Sequence, residues 1–492
     1  VNLWRASVCF AVLAALLFLD HLPILSLPYF WDELGQFVPA SLDILRDGAW
    51  VPHSTVPNAH PPAVMAYLAL VWRIFGYSIP GTRAAMLVLA SALAFTSLLL
   101  ARRLSGRDAS LAVFFLIADP LFHAQAMMAQ LDMPAALFTI VALLLFLDDR
   151  HRACIAACTV LVLVKETGIV VPFIFGLLLI REKRLRTALL YVIPFFALVV
   201  WFAYLWRSTG HLFGDSGFTH YNLTYPLNPI RILVSLLRRG YYLFLADFRW
   251  IGAIMIWLAW SRARIFRSRY WAVTSLVFAG HVLLVTVLGG AALERYLLPA
   301  LPILYCAIAA GWSVLAPRWK AVSAISLTAG LFLGWFLNPP FPFPYENNLA
   351  YTDFVRLQTD AARYLEQHDS GETIYTAWPL TGALRRTELG YVEHPFQTSE
   401  TSDLHASTLE RLDPKGVHVV VLYSRTWDPP WGVLRIPPVE RFLSRYYDYE
   451  PQLTASEAKQ FLNLDRVARW DRRGQWVEVY ERPKIKVPNL SR

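Results

Sequence analysis

Residues 6–33, ASVCFAVLAALLFLDHLPILSLPYFWDE, decide how the rest of the chain is read. The apolar run 6–26 is long enough as a helix to cross a hydrocarbon core of about 30 Å. Trp31-Asp32-Glu33 follows at once, placing two carboxylates where the apolar run meets water. Carboxylates at that depth are costly unless solvated or paired, so by default they mark chemistry.

Composition extends the reading outward from that stretch. Hydrophobic residues make up 56 % of the 492 residues and charged ones only 16 %, with a mean hydropathy of +0.41, which describes a polytopic α-helical membrane protein. The formal net charge of +9 does not imply nucleic acid. The Lys and Arg lie in short clusters between apolar runs, the positive-inside pattern, and not on one basic face. All four cysteines, Cys9, Cys154, Cys158 and Cys306, fall inside apolar runs, so the segments expected outside the membrane contain none to pair. Cys154 and Cys158 share a helix face and read as small packing residues.

Apolar stretches recur near 6–26, 80–101, 109–127, 133–148, 152–165, 167–181, 187–206, 241–260, 270–289, 296–316 and 319–337, predicting about eleven transmembrane helices. Basic residues recur at every second connection: Arg102, Arg103 and Arg107; Arg150 and Arg152; 181–186; Arg262, Arg264, Arg267 and Arg269; Arg318 and Lys320. That alternation sets the N-terminus in the cytoplasm and the C-terminal segment outside. The first run lacks a small-residue cleavage site before Trp31 and reads as an uncleaved anchor. The short loops point to a bacterial cytoplasmic membrane.

The membrane domain is expected over 1–337, with two outer loops. In loop 27–79, Leu34, Phe37, Val38, Leu42 and Leu45 predict an interfacial helix, and a second helix opens after Pro61-Pro62 and ends at Gly76. In loop 207–240, Ile230, Leu233, Leu236 and Leu237 with Arg231, Arg238 and Arg239 make a basic amphipathic segment. Such segments either wall a cavity at the membrane surface or serve as simple anchors. The Pro-rich stretch 339–344 then marks a boundary, and 338–492 reads as an extracytoplasmic α/β domain with no Gly-rich phosphate loop or metal-ligand spacing. A helix is predicted through Phe354, Leu357, Ala361, Tyr364 and Leu365, and strands at 373–377, 417–423 and 476–480.

Asp32, Glu33, His60, Asp132, Lys165, Glu166, Glu294 and Arg295 all fall at the outer boundary, from distant parts of the sequence. A single interfacial cation usually snorkels. A group of both signs on one face suits a site that handles an anion and a proton, where cations hold a phosphate while a carboxylate takes a hydroxyl proton. For Asp132 a helix cap ahead of Met133-Pro134 is the rival reading, and for Glu294 an ion pair with a neighbour.

Trp31-Asp32-Glu33, His60-Pro61-Pro62 before a span, Leu131-Asp132-Met133-Pro134, Lys165-Glu166-Thr167-Gly168 and Glu294-Arg295-Tyr296-Leu297-Leu298-Pro299 together resemble the GT-C superfamily of membrane glycosyltransferases. The likeness is to the branch of the protein O-mannosyltransferases and lipid A aminoarabinose transferases. It covers most of 1–337 in order and spacing, and the C-terminal domain in position only. The resemblance implies transfer of a sugar from a polyprenyl-phosphate donor to an extracytoplasmic acceptor: glycan, lipid or protein. It makes Asp32 the general base, with Glu33 orienting it or the substrate. It makes Lys165, Arg295 and His60 the donor phosphate-binding residues, and Asp132, Glu166 and Glu294 substrate-orienting ones. Where the aminoarabinose branch carries a lysine this chain has His60, as on the mannosyltransferase side, so that position need not hold a permanent charge. A divalent metal is left open, with Asp132 its ligand where one is used, and no other cofactor is implied. No nucleophile for a covalent intermediate is evident, so a single inverting displacement is expected.

The competing classes are a transporter or flippase of a lipid-linked or polar solute, and an inactive homologue that binds a lipid-linked glycan. Transporters of that kind show internal repeats and charges near the bilayer midplane, whereas this sequence shows no repeat and has its charges at the outer ends. The sugar and acceptor are not written in any residue singled out.

Overall fold

The structure, a computed structural model, describes residues 3–105, 109–262, 265–290, 292–339, 341–368, 371–427, 432–450 and 453–483. Arg107, Arg264 and Pro340, used above for the charge and boundary readings, lie outside the described residues. The chain divides into two compact units: residues 1–26, 36–337 and 346–349 form one, and 27–35, 338–345 and 350–492 the other.

The first unit is helical. Among the described residues four helices are long and apolar enough to cross a membrane: Trp4–Ile24, Ile79–Ser105, Leu185–Thr209 and Arg269–Val287. A fifth is added if the pair Pro229–Phe244 and Ala246–Arg262, bent by 49°, is one span. The count of about eleven is therefore not confirmed, because several runs that read as continuous are interrupted. The run 109–127 becomes Ala109–Ala118 and Pro120–Gln125, broken where the Asp119 carboxylate accepts from the Leu121 and Phe122 amides at 2.8 and 3.1 Å. Pro120 fits the first position of the new helix because it has no amide proton to lose. Other apolar helices, Ala63–Phe75, Asp132–Leu147, His151–Val164 and Leu301–Ser313, fall short of a full crossing.

Asp119 anchors a largely buried network in this unit, in which Asp119, Arg249 and Tyr305 are sealed from solvent and Asp247 is half-buried. The Asp119 carboxylate meets the Arg249 guanidinium at 2.5 Å and accepts from the Tyr305 hydroxyl at 2.5 Å, and Arg249 also reaches Asp247 at 2.9 Å. Asp247 and Phe248 have φ of 50° and 62° at the bend of the helix pair, so the kink is a backbone reversal held by a buried charge pair. In Pro229–Phe244, Leu233, Leu236 and Leu237 face outward while Arg239 is buried. That is the reverse of a water-soluble helix.

The second unit is a five-stranded mixed sheet with helices. The strands are β1 (Ile374–Ala377), β2 (Thr398–Thr401), β3 (Val419–Tyr423), β4 (Asp465–Arg472) and β5 (Gln475–Glu481), in the order β2-β1-β3-β5-β4. β1 runs parallel to β2 and β3, while β5 is antiparallel to β3 and β4. The three predicted strands correspond to β1, β3 and β5. β2 and β4 escaped because they are polar edge strands, whose period-2 signal is weak. The predicted helix is Ala350–Gln367, with Phe354, Leu357, Ala361 and Leu365 buried and Tyr364 only half-buried.

Candidate functional site

The first unit gathers six of the eight expected residues. Lys165 ends the helix His151–Val164 in extended conformation, and the 3-10 turn Glu166–Ile169 follows, closed by the Gly168 amide donating to the Lys165 carbonyl at 2.9 Å. Gly168 is required there, since a Cβ would overlap Leu161. The turn aims two consecutive charged side chains at different partners.

The Lys165 ammonium donates to Asp132 at 2.5 Å, and the other Asp132 oxygen faces the Arg295 Nε at 3.5 Å. Asp132 lies in the first turn of Asp132–Leu147, whose cap position, Leu131, has no side-chain cap bond. The helix-cap alternative is therefore not taken, and the carboxylate serves two cations. Arg295 also donates to Gln130 at 2.7 Å and pairs with Glu346 at 3.1 Å. These are desolvated pairs: Asp132, Lys165, Arg295 and Glu346 are each no more than 7 % exposed.

His60 and Glu166 form a second pair, Nδ1 to Oε2 at 2.9 Å. The loop before His60 is pinned by the Trp201 indole, which donates to the Ala59 carbonyl at 3.0 Å, and the His60 amide donates to Asn58 at 2.9 Å. Burial raises the Glu166 carboxyl, but the His60 charge and hydrogen bond and the Lys165 ammonium outweigh it, bringing it to about 2. Glu294 binds Arg238 and accepts from Asn347 at 2.7 Å. Burial raises its carboxyl too, and Arg238 outweighs that, holding it below its ordinary range.

Three cations approach one ring. Lys165 lies 4.2 Å, Arg295 5.6 Å and Arg239 6.0 Å from the Tyr296 ring centre, where the negative face of the aromatic offsets part of their mutual repulsion. The Arg239 guanidinium donates to the carbonyls of Leu293 at 3.2 Å and Val285 at 2.6 Å, and its Nε has no hydrogen-bond partner among the described residues. Tyr296, Lys165, Glu166 and His60 line a pocket enclosing about 610 Å³, part of it open to the surroundings. The rest of the lining is mainly apolar, with Phe202, Phe213, Phe218, Leu223, Val285 and Leu288 beside the polar Thr167 and Asn222.

Asp32 and Glu33 belong to the second unit. Glu33 is fully buried, its carboxylate accepting from the Phe30 amide at 2.9 Å, while Asp32 is half-buried.

Among the described residues, two groups have a metal-like composition: Asp20, His21 and His123; and Asp43, Asp47 and His53. In the first, both His21 ring nitrogens face carbonyl oxygens, of Leu17 at 2.8 Å and His123 at 3.0 Å, so no lone pair is presented to an ion. In the second, Asp43 accepts from the His53 and Ser54 amides, both at 3.0 Å, and closes a loop. Asp132, the expected ligand where a metal is used, faces two cations instead.

Sequence reasoning missed Gln130, Glu346 and the special places of Arg239 and Tyr296. Tyr296 stood inside a quoted motif and Arg239 inside the basic segment, so both had a signal. Glu346, just past the Pro-rich boundary, had none.

No family model matches the chain, and no curated protein matches it either. Among solved structures it is similar to ArnT from Cupriavidus metallidurans bound to undecaprenyl phosphate: TM-score 0.59, 16 % identity, covering 96 % of this chain and 97 % of that one. The same protein in the apo state gives a TM-score of 0.58 at 16 % identity, over 97 % and 98 % of the two chains. The arabinofuranosyltransferase AftD from Mycobacteria aligns with 98 % of this chain and 40 % of its own at 15 % identity, with a TM-score of 0.45. The likeness to ArnT establishes the fold: the chain shares the fold of ArnT along nearly its whole length.

Proposed function

We propose that the chain is an inverting glycosyltransferase that moves a sugar from a polyprenyl-phosphate donor to an extracytoplasmic acceptor. The observation that carries this reading is the pocket of the first unit, lined by Lys165, His60 and Tyr296 together with mainly apolar side chains, with Arg295 and Arg239 near the same Tyr296 ring but outside the pocket lining. An isoprenoid phosphate has that same division between an apolar chain and an anionic head. The fold it shares with ArnT, solved with undecaprenyl phosphate bound, supports the same donor class.

In the proposed reaction an acceptor hydroxyl oxygen bonds to the anomeric carbon as the bond from that carbon to the phosphate oxygen breaks. Asp32 takes the hydroxyl proton, and the electron pair leaves with the polyprenyl phosphate. Because phosphate is already a good leaving group, catalysis depends more on holding its growing charge than on an acid. Lys165, Arg295 and His60 take that role, with Arg239 adding positive potential behind Tyr296. Asp132 orients Lys165 and Arg295 and Glu166 orients His60, so that the phosphate meets donors already fixed in place, while Glu294 orients the substrate through Arg238 and Asn347. Glu33 acts on Asp32 through the backbone turn that its carboxylate closes. The enzyme lies in a bacterial cytoplasmic membrane with its N-terminus inside and residues 338–492 outside.

The test is transfer of label from a radioactive polyprenyl-phosphate sugar to acceptor by the chain in nanodiscs. Asp32→Asn is expected to abolish transfer with no change in thermal unfolding. Wild-type turnover in that variant would remove Asp32 from the mechanism.

A further inference from the structure

We infer that Trp31, Trp378 and Arg425 are positioning residues for Asp32, and that the sheet-bearing unit is thereby a working part of the transferase. This rests on the function proposed above. Residues 27–35 belong to that unit and are held along their length by its later residues. The Tyr391 hydroxyl donates to the Tyr29 carbonyl at 2.6 Å. The Phe30 ring stands edge-on to Phe354, centres 5.3 Å apart, and to Tyr351 at 6.0 Å. The Trp31 ring meets Trp378 at 5.6 Å and Phe354 at 5.7 Å, both edge-on, and the Arg425 guanidinium lies 5.6 Å from its centre. Gly35 has no room for a Cβ, because the Trp378 indole lies against it.

Trp31 needs this clamp. Its φ of 47° is in the left-handed region, which costs a bulky residue free energy and persists only where the surroundings over-determine it. Edge-on aromatic contacts and a cation over the ring supply that restraint. The Gly35 amide then donates to the Trp31 carbonyl at 2.8 Å and the Glu33 amide to the Phe30 carbonyl at 3.1 Å, so the ring clamp and the turn carrying Asp32 are one device. Its effect is to sort two adjacent carboxylates: Glu33 is sealed inside the turn, and Asp32 is left half-exposed. A base that must meet one hydroxyl gains from such fixing, since small misplacements are costly.

The test compares wild type with Trp31→Gly, Trp31→Phe, Trp378→Phe and Arg425→Ala in the label-transfer assay, with hydrogen exchange of 27–35 read in parallel. Glycine tolerates the positive φ, so Trp31→Gly removes the ring without adding backbone strain. The expected result is a fall in kcat of about 10- to 100-fold for Trp31→Gly and Arg425→Ala. Donor KM should be unchanged, the pH profile of kcat/KM displaced, and exchange in 27–35 faster. Trp31→Phe and Trp378→Phe should keep most of the rate. Variants that fold and transfer at the wild-type rate and pH profile overturn the inference alone. Wild type that transfers no sugar overturns it together with the proposed function. Should Trp31→Gly fail to fold, Arg425→Ala, which leaves both indoles in place, decides by the same readouts.

Discussion

Glu166 carries the clearest pH signature of the pocket. Its carboxyl is brought from 4.5 to about 2 in the folded chain, so its contribution to stability is full above 4.5 and is lost as pH falls through about 2. His60→Ala removes the first of the charges that outweigh burial. The carboxyl is then expected to rise toward its ordinary value, which titration of its infrared carboxylate band would follow. A carboxylate still fully ionised at about pH 3 in that variant would show that His60 is not the partner that matters. Residues such as Glu166, Lys165 and Arg295 were legible because a charge at the end of an apolar run has to be explained. Glu346 was not, because its partner Arg295 lies far away in sequence and no local pattern announces the pairing.

At the scale of elements, breaks decide more than propensities. Asp119 and Arg249, each fully buried, sit where two long apolar runs fail to become straight helices. Removing one partner of such a pair strands the other in a low-dielectric interior. Arg249→Met is therefore expected to lower stability by about 3–5 kcal/mol, and the double variant Asp119→Asn, Arg249→Met to recover part of it. Thermal unfolding in nanodiscs measures both, and a double variant no more stable than Arg249→Met would mean the pair is not the coupling. Hydropathy reveals where a chain is apolar, and it marked out nearly every helix of the first unit. It does not reveal that one acid inside a run, at Asp119, restarts the helix. That is one reason the runs outnumber the full-length spans; the other is length, since runs such as 133–148 and 152–165 fold as helices of 16 and 14 residues. In the sheet, buried strands such as β3, with all five residues inside, were legible for the same reason that polar β4 was not.

For the molecule as a whole, a fold shared at 16 % identity fixes an architecture and leaves chemistry to be measured. The decisive measurement is stereochemical. A single displacement inverts the anomeric centre, so a product made from a donor of defined configuration should show the opposite one by NMR. Retention would require a covalent intermediate and a nucleophile that the proposed mechanism lacks.

The two units are interleaved along the chain, with Leu27–Gly35 grouped among residues from beyond 337, and Glu346–Leu349 returning to the first unit. A recombination event with one crossover near 337 would thus separate the short early segment from the aromatic residues that grip it. Chimeras with a homologue are expected to work as hosts for a foreign sheet domain only when 27–35 is exchanged in the same step. In evolution, the two stretches should be inherited as a linked pair.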